Sequence, residues 1–104
     1  MFNVAIIGAG VVGGMIAREL TKQGLKVCVL EKENDVAMGA TKANSAIVHA
    51  GFDAEPNTLK AILNVRGAEL FPKLCEDLQV PLVNNGALVI GNDKEVVQNL
   101  YDRG

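Results

Sequence analysis

Residues 4–13 read Val4-Ala5-Ile6-Ile7-Gly8-Ala9-Gly10-Val11-Val12-Gly13, an apolar run that breaks into glycines spaced G-x-G-x-x-G. Upstream of the break, Phe2 to Ile7 is short, nearly continuously apolar and rich in β-branched residues, the pattern of a parallel strand buried on both faces. Downstream, Val12, Met15, Ile16 and Leu20 recur at helical spacing, Ala17 is small, and Gly24 offers a stop, so Val11 to Gln23 is a predicted helix. Lys26 to Leu30 repeats the buried-strand pattern and ends at Glu31. The whole makes a β-α-β unit of about 30 residues, the length of a right-handed crossover.

In that context each glycine has a physical task. Gly8 permits a tight turn, Gly10 lets backbone approach a diphosphate with no Cβ in the way, and Gly13 lets the helix pack closely on the strand. The amides of the helix N-terminus then face an anion, favoured by their unpaired donors and by the helix dipole. Glu31, at the end of the second strand, is placed to accept hydrogen bonds from both hydroxyls of an adenosine ribose. Its charge repels a 2′-phosphate, which disfavours NADP and leaves FAD or NAD. The plainer alternative is a glycine-rich turn that binds nothing. The predicted fold class is α/β, a partial Rossmann-like (FAD/NAD(P)-binding) βαβ unit followed by a helix and a strand.

Lys32 to Asp53 is small, polar and glycine-containing apart from Ala46-Ile47-Val48, and a loop of that length in a compact domain tends to be functional. Asn57 or Thr58 can cap a helix running to about Gln79, with Leu59, Ile62, Leu63, Leu70, Leu74 and Leu78 as its apolar, core-facing stripe. Pro72 lies inside that run and predicts a kink or two abutting helices, because proline removes a backbone donor and crowds the preceding turn. Pro81 to Gly91 reads as a strand, with Asn85-Gly86 forming either a tight hairpin or a bulge. Asp93 starts a further capped helix to about Tyr101. The expected division is 1–55, the βαβ unit and its following loop, and 56–104, the start of a second domain.

The 104 residues, 49% hydrophobic and 21% charged, suit one modest core. A net charge of -2 with both signs interspersed offers no basic stripe for nucleic acid and no polybasic membrane patch. Cys28 and Cys75 fit no metal-ligand spacing and read as reduced, buried thiols of a cytoplasmic protein, so no metal is expected. The opening stretch lacks the basic region of a signal peptide. No segment approaches the roughly 20 uninterrupted apolar residues of a membrane span, and a soluble protein is expected.

The stretch Met38 to Asp53, MGATKANSAIVHAGFD, together with the glycine fingerprint, resembles the D-amino-acid-oxidase-like FAD superfamily. The closer resemblance is to FAD-dependent glycerol-3-phosphate dehydrogenases of the anaerobic type and to L-2-hydroxyglutarate dehydrogenases and oxidases. It rests on Thr41, Asn44, Ser45, Ile47, Val48, His49, Ala50 and Gly51, and extends to Leu59-Lys60 and to the strand pattern of Gly86 to Ile90. Lys42-Ala43 departs from relatives that carry glycine, histidine or serine there. The resemblance implies FAD as cofactor, with Gly8, Gly10, Val11, Val12 and Gly13 lining the pyrophosphate, Glu31 on the ribose and Lys32 at the adenosine edge. It also implies that Thr41, Asn44 and Ser45 contact the pyrophosphate or the ribityl chain. By residue type alone, such a Thr/Asn/Ser loop is usually turn chemistry.

His49, the only histidine, is by residue type a structural imidazole satisfied by a nearby carbonyl. The resemblance instead implies a catalytic residue close to the isoalloxazine, able to orient substrate, assist proton removal or stabilise reduced flavin. Arg66 either reaches an anionic substrate or lies on a solvated helix face. The implied reaction oxidises a small anionic secondary alcohol, glycerol 3-phosphate to dihydroxyacetone phosphate first and L-2-hydroxyglutarate to 2-oxoglutarate as the alternative. An NAD-binding module and a non-catalytic fragment are the other two classes. The superfamily's length implies a truncated substrate domain and a fragment that is inactive on its own and binds FAD weakly or not at all. A sheet with an uncovered edge is expected to form a homo-oligomer or domain-swapped dimer.

Overall fold

The computed structural model describes Met1 to Arg103, and these residues form two compact units, the first Met1–Ala46 and the second beginning at Ile47. In the first unit, β1 (Val4–Ile7), α1 (Val11–Lys22) and β2 (Val27–Leu30) follow in order, and β1 pairs with β2 in parallel. The register sets Val4 against Val27, Ala5 against Cys28, Ile6 against Val29 and Ile7 against Leu30. Below the first pair, the Asn3 amide donates to the Lys26 carbonyl and the Asn3 side chain accepts the Lys26 amide, both at 2.8 Å. Above the last, the Gly8 amide donates to the Leu30 carbonyl at 2.7 Å. The expected α/β unit is therefore present, with element ends within two residues of their predicted places.

One expectation about β1 is corrected. Burial on both faces does not occur: Val4 and Ile6 are half-buried while Ala5 and Ile7 are exposed. The cause is that α1 covers one face of a two-stranded sheet, and strand side chains alternate between faces. Ile7 and its neighbour Leu30 consequently lie open, at 89% and 53% exposure. Cys28 is half-buried rather than buried.

In the second unit, α2 (Leu59–Leu78) begins at Thr58, whose hydroxyl accepts the Ala61 amide at 3.2 Å. It ends at Gln79 in the left-handed region, where the Val80 amide reaches the Cys75 carbonyl at 2.9 Å and closes the last turn. The helix runs unbroken through Pro72, so the pair of abutting helices does not form. Helical turns on both sides, each closed by a cap, outlast the one missing donor. The core of this unit is limited: Ala54 and Cys75 are buried, whereas Leu59, Ile62, Leu63, Leu70 and Leu78 of the expected core stripe are exposed.

The strand expected over Pro81 to Gly91 is absent, and residues 80–90 carry no regular structure. An extended segment becomes a strand only when a neighbour accepts and donates its backbone bonds, and no such neighbour stands beside it among the described residues. Gly86 has a positive φ of 74°, but with no paired strand around it neither the expected hairpin nor the bulge is present. The last helix, α3 (Lys94–Arg103), is capped by Asp93, whose carboxylate accepts the amides of Glu95 and Val96 at 2.9 and 3.3 Å. No helix among the described residues is long and apolar enough to cross a membrane.

α1 lies close against the end of β1 and the turn that follows it. A Cβ at Gly13 would overlap the Gly8 carbonyl oxygen and stand 3.4 Å from Ile6 Cγ2, whereas one at Gly14 would meet nothing within 4 Å. Gly13→Ala is expected to destabilise the protein by roughly 1–3 kcal/mol through overpacking. Gly14→Ala is expected to stabilise it by up to about 1 kcal/mol, as in any exposed helix interior. Urea unfolding of the two variants measures both, and equal midpoints would contradict the close approach.

Candidate functional site

The chain leaves β1 through Gly8, whose φ of 104° is a conformation that side-chain-bearing residues avoid. Gly10 then caps α1 in an extended conformation and supplies no side chain to it. A helix start leaves its first amides without intrahelical acceptors. Here the Val11 amide is taken by the Thr41 hydroxyl at 2.9 Å. Those of Gly10, Val12 and Gly13 have no acceptor among the described residues. A Cβ at Gly10 would come within 3.0 Å of Thr41 Oγ1, so glycine also admits the threonine to the turn.

Glu31, at the end of β2, is bound to the same turn. One carboxylate oxygen accepts the Ala9 amide at 2.7 Å, and the other accepts those of Lys32 and Glu33 at 2.8 and 3.1 Å. The Ala9 amide first and the Glu33 amide next hold this carboxyl below the usual glutamate range, with the Lys32 amide and charge adding to them against desolvation. A carboxylate offers about four lone-pair sites, so about one remains for a ligand hydroxyl rather than the two expected for a ribose. The loop after Glu31 returns over the turn, where the Ala37 amide donates to the Ala9 carbonyl at 3.0 Å.

Between this loop and the strand ends lies a cleft of about 450 Å³. Ile7, Leu30 and Met38 give it apolar walls, and Gly10, Glu31 and Thr41 give it polar groups. That mixture suits a nucleoside with its phosphates toward the helix. Three unpaired amides beside a carboxylate with a spare acceptor site fit the adenosine diphosphate half of a dinucleotide.

Of the other residues singled out in the sequence, Lys32 lines the cleft, with its ammonium 3.5 Å from Glu33. Val11 and Val12 are exposed on the first turn of α1. Asn44 makes a local turn, donating to the Thr41 carbonyl at 2.5 Å and accepting the Ala46 amide at 2.7 Å. Ser45 is exposed and has no hydrogen-bond partner among the described residues. Arg66 is paired with Glu69 at 3.0 Å on an exposed helix face, the solvated alternative.

His49 belongs to the second unit. Its Nδ1 lies 2.5 Å from an Asp53 carboxylate oxygen, with both side chains exposed. Between them Gly51 has a φ of 119°, and a Cβ there would come within 2.7 Å of Val65 Cγ2 on α2. Asp53 was not identified from the sequence. The signal that would have found it is H-x-G-x-D, where a central glycine able to turn back brings positions i and i+4 together.

A family model described as FAD dependent oxidoreductase matches residues 3–104. The chain is 53% identical over its whole length to a glycerol 3-phosphate dehydrogenase of Caloramator mitchellensis, of which it covers 22%. It is similar, at 38% identity over its whole length, to an L-2-hydroxyglutarate dehydrogenase, mitochondrial, of Dictyostelium discoideum, covering 24% of it. The protein of that name from Nematostella vectensis is 40% identical over 99% of the chain, again with 24% covered. The chain thus spans less than a quarter of the length of these relatives.

The lowered Glu31 carboxyl makes stability depend on pH in a definite direction. Its contribution is present above the unfolded value of about 4.3 and is lost as pH falls through the lower folded value. Urea midpoints of wild type and Glu31→Gln, compared from about pH 6 to pH 3, are expected to converge toward the acid end. A difference that stays constant across this range would contradict the Ala9 bond.

Proposed function

The chain belongs to the FAD dependent oxidoreductase family, and from that premise we propose that it is the N-terminal FAD-binding part of a dehydrogenase oxidising a small anionic secondary alcohol. Glycerol 3-phosphate, giving dihydroxyacetone phosphate, is the first substrate on this reading. The observation that carries the binding role is the glycine turn, with unpaired amides at Gly10, Val12 and Gly13 beside the Glu31 carboxylate. The substrate follows the 53% identical relative. L-2-Hydroxyglutarate is the second reading, favoured by the relatives at 38% and 40% identity.

FAD is the cofactor of this family, and when bound it supplies the hydride acceptor. The chain's own residues bind and orient it. Gly8 turns the backbone, the amides of Gly10 to Gly13 hold the pyrophosphate, Glu31 takes a ribose hydroxyl, and Lys32 borders the adenosine. The Val11 amide becomes available if the pyrophosphate replaces Thr41 as its acceptor. Thr41, Asn44 and Ser45 are proposed to reach phosphate or ribityl oxygens. His49 is the proposed catalytic proton acceptor. Residues 1–55 would then form the FAD-binding portion and 56–104 the beginning of a substrate domain. Cytoplasmic placement rests on the two free thiols, and a homo-oligomer rests on the open sheet at Ile7 and Leu30.

Melting the chain with FAD, NAD and ADP in parallel tests the binding role. FAD is expected to raise the melting temperature most, by an amount equivalent to about 2.7 kcal/mol at a hundredfold excess over Kd. A response to NAD with none to FAD would indicate a nicotinamide module, and no response to any of the three a non-catalytic fragment. In the full-length enzyme, His49→Gln is expected to lower kcat by about 10²–10⁴-fold with glycerol 3-phosphate and a dye acceptor. Unchanged kcat would remove His49 from the reaction.

A further inference from the structure

An imidazole accepts a proton only at a nitrogen that does not already carry one, and which nitrogen is bare is set by the hydrogen bond made at the other. In the second unit that choice is made by one group. The Asp53 carboxylate lies 2.5 Å from His49 Nδ1, and Nε2 has no partner among the described residues. An ionised carboxylate only accepts, so in the neutral ring the hydrogen sits on Nδ1 and the lone pair on Nε2.

The pair is built by the backbone. Gly51, at a φ of 119°, reverses the chain between the two side chains, and its lack of a Cβ lets the turn lie against Val65 of α2. Immediately after Asp53, Ala54 is one of the two buried apolar residues of the described chain. The turn is thus held on both sides of Asp53, while the His49 side chain is 59% exposed.

We propose that Asp53 is a positioning residue, which holds His49 in the Nδ1–H tautomer and so presents Nε2 as the acceptor of the substrate's hydroxyl proton. The proposal rests on the reading of His49 given above. In the step it serves, the alcohol O–H bond breaks, its electron pair stays on oxygen, and the proton passes to Nε2. The resulting imidazolium is balanced by the Asp53 carboxylate. Asp53 need not touch the substrate for its loss to be felt.

Because this chain has a single histidine, ¹⁵N NMR of the imidazole reads the tautomer without assignment ambiguity. The exposed pair contributes little to folding, so Asp53→Ala is expected to stay folded, with backbone amide spectra as the check. With the ring neutral, in mildly alkaline solution, wild type is expected to show a protonated Nδ1 and a bare Nε2. Asp53→Ala is expected to reverse the preference and Asp53→Glu to restore it. Full-length enzyme should follow in parallel, with Asp53→Ala lowering kcat about 10-fold or more at little changed KM and Asp53→Glu recovering most of it. A wild-type ring protonated at Nε2, or a tautomer indifferent to Asp53→Ala, overturns the proposal. If the tautomer responds but His49→Gln leaves kcat unchanged, it is the assignment of His49 as proton acceptor that fails, separately from the role of Asp53 in orienting the ring.

Discussion

The Gly8 carbonyl occupies the space that a side chain at position 13 would need, and this approach governs the geometry of the first unit. It lets α1 lie on β1 close to its final residue, so the helix starts directly above the sheet end. Its first amides then stand at the turn, where the Thr41 hydroxyl takes that of Val11 and the others keep the unpaired donors that favour an anion. Close packing and ligand chemistry are one property here, expressed at two ends of a single glycine-rich turn.

The turn is also held from the other side. Glu31 binds the Ala9 amide, Ala37 binds the Ala9 carbonyl, and Thr41 binds the Val11 amide. Both backbone groups of Ala9 are therefore satisfied by residues that follow β2. The loop from 31 to 41 is thus more than a connection. It fixes the peptide groups of the glycine turn and gives the cleft its outer wall. The Ala9 bond, with those from the Lys32 and Glu33 amides, draws down the acceptor capacity of Glu31, which explains why a carboxylate expected to grip two hydroxyls has room for one.

Much of this was legible in the sequence because it is local. Val4 to Gly13 carries its own strand, turn and helix signals, and Glu31 is located by the end of an apolar run. Thr58 and Asp93 are capping residues in their usual places. What the sequence did not disclose depends on partners distant along the chain. The bond from Thr41 to Val11 joins residues 30 apart, and no periodicity announces it. The apolar pattern of Pro81 to Gly91 describes a capacity to pair, which stays unrealised without a neighbouring strand. The stripe on α2 likewise records a preference for cover that the described residues do not provide. Asn44 shows the reverse case, a turn legible from residue type: its bonds to Thr41 and Ala46 are local and hold the loop in shape.

The single crossover between β1 and β2 also bears on how the first unit comes together. Its long-range hydrogen bonds close over 22 to 30 residues, and the strands they brace are joined by one helix. Parallel pairing of this kind forms slowly, because the intervening chain must be closed before the contacts reward it. The walls of the cleft therefore meet only when segments on either side of the crossover have come together, so the pocket is a product of assembly and not a property of any one segment.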